Sequence, residues 1–101
     1  MLLAAGTQRG HLILWDFRTG ALTATRPAAH PAAIDTLGFG TLNGRPTIAT
    51  GGADDTLRLW TISLDELFRI EIGKPIKAVS WTGPNRLAIG GYAGVLALRF
   101  D

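Results

Sequence analysis

Cysteine is absent from this chain of 101 residues, so it can build neither a disulfide framework nor a thiolate metal site. Charge is scarce: 18% of residues are charged and the formal net charge is +2. With 47% apolar residues, that composition excludes disorder. No apolar run approaches the ~18 residues of a membrane-spanning helix, and the apolar stretch 1–5 is too short for a secretory signal. The expectation is a soluble, cytoplasmic protein without membrane contact. Histidine occurs only as His11 and His30, whereas a metal site needs several His, Asp or Glu side chains in convergence. Ser63 and Ser80 have no nearby His and no nucleophile-elbow context. The pairs Gly51-Gly52 and Gly90-Gly91 lack the following Lys-Ser/Thr, or the helix, that a phosphate loop requires. No catalytic, metal or cofactor-binding residue is therefore assigned, no cofactor is implied and no enzyme activity is expected. The basic side chains, Arg58 among them, are scattered along the chain rather than clustered, which reads as a solvated face and argues against nucleic acid.

Glycine is plentiful, at 13 residues. Part of the reason is repetition. The segments LLAAGTQRGHLILWD (2–16), IATGGADDTLRLWT (48–61) and LAIGGYAGVLALRFD (87–101) share one layout: a short apolar run, a small-residue turn, then an alternating apolar strand. Trp15 aligns with Trp60, and Leu57 with Leu96. Alternation and breakers predict strands near 2–5, 11–16, 21–25, 33–39, 46–50, 56–61, 67–72, 76–81, 86–90 and 95–100. The turns fall at 18–20, at 41–45 around Asn43-Gly44, and at 83–85, where Gly and Asn accept positive φ. Ser63 followed by Glu66 predicts a short turn or a single helical turn with Ser63 as its cap.

A period of ~40–45 residues with Trp-Asp at a strand end resembles the WD-repeat β-propeller family. The second unit carries the resemblance best. Ala29-His30 stands where the family has Gly-His, then come the strand 34–39, Thr50, the turn Ala53-Asp54-Asp55, and Trp60. The resemblance implies a structural tetrad of His30, Thr50, Asp54 and Trp60, in which the Asp accepts from the His ring, the His meets the hydroxyl, and the hydroxyl meets the indole N–H. Thr61 departs from the Asp of Trp-Asp. The first unit has Ala5 and Arg9 at the hydroxyl and Asp positions; the third has Ile89, Ala93 and Arg99 where the tetrad wants a hydroxyl, an Asp and a Trp, with Gly73-Lys74 in place of the His.

The implied fold is all-β, an incomplete WD-repeat propeller of antiparallel four-stranded blades. Residues 1–25 form an incomplete first blade, 30–72 a full second blade, and 75–101 a third blade without its outermost strand. Closed propellers have ~4–8 blades, so this stretch does not close a ring alone. Its end resembles the family's closing blade, which suggests the C-terminal part of a larger propeller. The implied function is a non-catalytic protein-interaction scaffold. The alternatives are a propeller completed by several copies of the chain, or a propeller-based enzyme. Partners are a protein or the missing blades, with a homo-oligomer as one form of completion. In the family, partners dock on the face bearing the turn before the Asp and the entry to the innermost strand. Here that face comprises Gln8, Arg9, Arg26, Ala53, Asp55, Lys74 and Tyr92, with Tyr92 the first candidate because aromatic residues are enriched in binding hot spots.

Overall fold

The computed structural model describes residues 1–91 and 94–100. Tyr92, Ala93 and Asp101 lie outside the described residues. Within them the chain forms ten strands and no helix: β1 (Leu2–Gly6), β2 (Leu12–Asp16), β3 (Leu22–Arg26), β4 (Ile34–Leu42), β5 (Arg45–Gly52), β6 (Thr56–Thr61), β7 (Glu66–Glu71), β8 (Ala78–Gly83), β9 (Arg86–Gly91) and β10 (Gly94–Arg99). They make three antiparallel sheets, ordered β1-β2-β3, β4-β5-β6-β7 and β8-β9-β10.

Period-two alternation decides which face of each sheet is buried. In β2, Leu12 and Leu14 are buried against the second sheet, while Ile13 and Trp15 turn to the other side. One apolar cluster joins the first and second sheets through Leu12, Leu14, Ile34, Ile48 and Trp60. Another joins the second and third through Ala49, Leu57, Leu59, Ile76, Leu87 and Ile89. The middle sheet is covered on both faces, and its strand β6 is buried from Thr56 to Trp60.

Both junctions use the same device. A Cβ on Gly6 would collide with the Ile34 side chain, and a Cβ on Gly51 with Ile76. Each isoleucine is also anchored through its backbone. Ile34 N–H donates to the Thr7 carbonyl at 3.0 Å, and Ile76 N–H donates to the Gly52 carbonyl at 3.2 Å. Nearer the inner end, the Trp81 ring lies over Gly38 and Gly40, and its Nε1–H donates to the Gly38 carbonyl at 3.0 Å.

Three details depart from the sequence reading. The hairpin between β4 and β5 is tighter than a turn over 41–45. Leu42 pairs with Arg45, and only Asn43 (φ 51°) and Gly44 (φ 77°) form the loop. Two left-handed residues match the strand twist, so pairing continues to the end. Ser63 caps no helical turn. Thr61 Oγ1 accepts the N–H groups of Ser63 (3.2 Å) and Asp65 (3.1 Å) instead, and Leu64, at φ 62°, turns its side chain into the first cluster. The third alignment shifts by one residue. In the second sheet Ile48 pairs with Trp60; in the third, Leu87 pairs with Leu98 and Ile89 with Leu96. Leu98, not Arg99, therefore holds the place of Trp60, and Leu96 that of Arg58 rather than Leu57. The cause is hairpin length, because two residues separate Gly91 from β10 whereas three separate Gly52 from β6.

Candidate functional site

The polar interior of the chain is concentrated at one place, on the face of the second sheet that meets the first. Alternation along β6 sets Thr56, Arg58 and Trp60 on that face, β5 adds Thr50, and the segment entering β4 brings His30 over them. His30 Nδ1 lies 3.0 Å from both carboxylate oxygens of Asp54. Its Nε2 lies 2.6 Å from Thr50 Oγ1, which in turn accepts the indole N–H of Trp60 at 2.9 Å. The structure thus brings His30, Thr50, Asp54 and Trp60 into one chain of hydrogen bonds.

Three further residues enter this network that sequence reasoning missed. Thr56 Oγ1 donates to Asp54 Oδ2 at 2.8 Å and accepts from Arg58 Nε at 3.0 Å. The Arg58 guanidinium donates to the Ala29 carbonyl at 2.9 Å and to Asp54 Oδ2 at 3.1 Å. Glu66 Oε1 stands 3.6 Å from the other side of that guanidinium. Arg58 was expected on a solvated face; it is only 7% exposed, because β6 lies inside the sheet and is covered on both sides. Period two in Thr56-x-Arg58-x-Trp60 gives the face that Arg58 shares with Trp60, but not that this face is covered.

Electrostatics follow from this packing. Burial lowers the His30 pKa below its ordinary 6.5, outweighing the pull of Asp54 in the other direction. The imidazole is therefore neutral, with Nδ1–H donating to Asp54 and Nε2 accepting from Thr50. Burial works against the Asp54 carboxylate, yet the bonds from His30 and Thr56 overcome it and hold its pKa below 3.8. The hydrogen bond from Arg69 holds Glu66 ionised, with Arg58 and Arg26 assisting. No buried side-chain N or O atom among the described residues lacks a partner.

An aspartate, an imidazole and a hydroxyl in line have the form of an acyl-transfer triad. Here, however, His30 and Thr50 are 0% exposed and the hydroxyl oxygen is held by the indole N–H. Among the described residues no three His, Asp or Glu side chains converge so as to hold a metal ion. Among the described residues no helix is long and apolar enough to cross a membrane.

Around the cluster, the connections β1–β2, β3–β4, β5–β6 and β7–β8 meet along one edge. His30 N–H donates to the Gly10 carbonyl, Ala53 N–H to Ala33, and Ile72 and Gly73 N–H both to Asp55. Gln8 and Arg9 are exposed in the first of these connections, and Lys74 is exposed in the last. Asp55, at φ 66°, is half-buried in the turn. Arg26 ends β3 at the same edge, its guanidinium carbon 5.6 Å from the centroid of the Trp60 ring. Six of the seven residues of the expected docking face thus share one edge; Tyr92 lies outside the described residues.

No protein-family model matches the chain. Over 90 residues the chain is 33% identical to WD repeat-containing protein 36 of Homo sapiens, a match covering 83% of this chain and 10% of that protein. The chain thus spans about a tenth of that relative's length. Among solved structures, the computationally designed Ika4 protein superimposes with a TM-score of 0.82 at 22% identity, over 99% of this chain and 61% of that one. Three antiparallel sheets docked by one repeated junction, together with these likenesses, make this a WD-repeat-like β-propeller fold in incomplete form.

Proposed function

We propose that the chain is a non-catalytic protein-interaction scaffold. In this reading His30, Thr50, Asp54 and Trp60 are a structural tetrad that holds one edge rigid. The observation that carries the proposal is the contrast between the two polar regions. The buried one is fully paired, with His30 and Thr50 sealed from solvent, whereas the edge above it presents Gln8, Arg9, Lys74 and the strand-end Arg26 beside turns tied to one another by backbone hydrogen bonds. A rigid, basic, solvent-facing edge supplies complementarity to an acidic protein surface at little ordering cost. A cytoplasmic location belongs to the same reading.

Cross-linking followed by mass spectrometry identifies the partner, and affinity measurements then test the edge. Arg9→Glu combined with Lys74→Glu should weaken that binding and leave the thermal melt unchanged. Retained affinity in this pair, with affinity lost on Asn43→Lys and Asn85→Lys at the opposite edge, would overturn the assignment. Completion by several copies is a second reading, supported by the apolar side chains on the two end sheets: Val95 is 82% exposed and Leu3 50%. Light scattering after size exclusion tests it, since a discrete multiple of the monomer mass is required.

A further inference from the structure

We propose that Asn43 is a site of covalent self-modification held in check by Asn85. Its side-chain amide closes on the Gly44 nitrogen when the second and third sheets part at this edge. The site lies opposite the docking edge and does not depend on the scaffold reading.

Asparagine occurs twice in the chain, as Asn43 and Asn85. The two form a matched pair. Each is a left-handed turn residue, at φ 51° and φ 59°. One sits in the hairpin β4–β5 and the other in the hairpin β8–β9, and they grip one another across the sheets. Asn43 N–H donates to Asn85 Oδ1 at 2.7 Å, and Asn85 Nδ2 donates to Asn43 Oδ1 at 3.3 Å. Asn85 N–H donates to the Thr41 carbonyl at 2.9 Å. What separates the two is the next residue. Asn85 precedes Arg86, whose side chain crowds the nitrogen that would attack, whereas Asn43 precedes glycine. Gly44 is exposed, and a Cβ there would meet nothing within 4 Å. Among the described residues its N–H has no hydrogen-bond acceptor. An unhindered, unpaired amide nitrogen thus adjoins a side chain of a thermolabile type.

The reaction needs only water. The Gly44 nitrogen gives up its proton and bonds to Asn43 Cγ, the Cγ–Nδ2 bond breaks, and that nitrogen leaves as ammonia. Water then opens the succinimide at either carbonyl, leaving aspartate or isoaspartate. Ring closure turns the Asn43 amide toward its own following nitrogen, and the bonds to Asn85 oppose that rotation. Fluctuations that part the two hairpins release it, and loop tips are where local opening costs least. The isoaspartyl product carries the chain through Cβ, so its backbone is one carbon longer. The two-residue loop between Leu42 and Arg45 does not accommodate that carbon in register. Conversion therefore loosens the tie between the second and third sheets and is not reversed when they close again.

The test incubates the full chain in neutral buffer below its melting temperature. Peptide mapping, ammonia release and labelling by an isoaspartyl carboxyl methyltransferase follow the product. Isoaspartate should accumulate at Asn43 and not at Asn85, and the urea-unfolded chain should convert faster than the folded one. Asn85→Gly removes both side-chain bonds, accepts φ 59° and keeps the backbone bond to Thr41. Conversion in that variant should quicken by at least about fivefold, the population change that one lost hydrogen bond produces. If Asn85→Gly melts below the incubation temperature, Asn85→Asp takes its place. It keeps an acceptor for Asn43 N–H, and its rate should lie between those of the folded parent and the unfolded chain. Three results would each overturn the proposal: no conversion at Asn43 while the unfolded chain converts, equal conversion at both asparagines, or a rate indifferent to the change at Asn85.

Discussion

Around His30 the supply of protons sets the direction of every bond. A neutral ring has one N–H, which goes to Asp54, so its other nitrogen needs the Thr50 hydroxyl as donor. That leaves the Thr50 oxygen to accept from Trp60. Asp54 supports both His30 and Arg58, and removing it leaves the guanidinium with Glu66 as its remaining carboxylate. Asp54→Ala is expected to cost ~1–3 kcal/mol, read as a lower urea midpoint, because the His30 N–H and the Thr56 hydroxyl lose their acceptor. Thr50→Val should cost ~1–3 kcal/mol by leaving the indole N–H and the imidazole nitrogen without a partner. The pKa of His30 is lowered on folding, so the unfolded chain binds the additional proton and stability is lost as pH falls. The loss begins as pH drops below 6.5 and ends below the folded-state value; Asp54 adds a second loss as pH falls from 3.8 through its own lowered value. Melts between pH 8 and pH 5 should show the first decline in the parent. A flat profile over that range would contradict a buried neutral imidazole. The four linked residues were legible from motif spacing. Arg58 was not, because a strand's position inside or at the edge of a sheet is not written in its own residues.

At the scale of elements, the junction between sheets is where glycine matters. Gly51 receives the Ile76 side chain, so Gly51→Val overpacks a closed contact and should cost ~1–3 kcal/mol. Gly90 occupies the same place in the third sheet, but a Cβ there would meet only Ala78 at 3.9 Å. Gly90→Val should therefore leave the urea midpoint close to that of the parent, and equal losses at the two glycines would contradict the repeated junction. Strand positions were readable from alternation because one face of each strand is buried and the other is not. The one-residue shift that puts Leu98 in place of Arg99 was hidden, since the aligned segments differ in hairpin length and only pairing reveals it.

Across the whole molecule, the middle sheet is sandwiched and the outer two each have one open side. Local opening should follow that order. Amides of β5 and β6 are expected to exchange slowest, and those of β3 and β10 fastest, in native-state hydrogen exchange. Uniform protection across the three sheets would indicate that further contacts cover the ends. The exposed Leu3, Phe39 and Val95 belong to this scale as well, because no single strand predicts which of its faces lacks a neighbour.

The sequence by itself determined the all-β class, the repeating unit and the four side chains linked through His30. Each of these is written in local pattern, in alternation and spacing. Only the tertiary structure decided that Arg58 is buried, that Leu98 stands in register with Trp60, and that Leu3 and Phe39 are left exposed. Those features depend on which strand lies beside which, and that adjacency is set by packing between sheets rather than by any one segment.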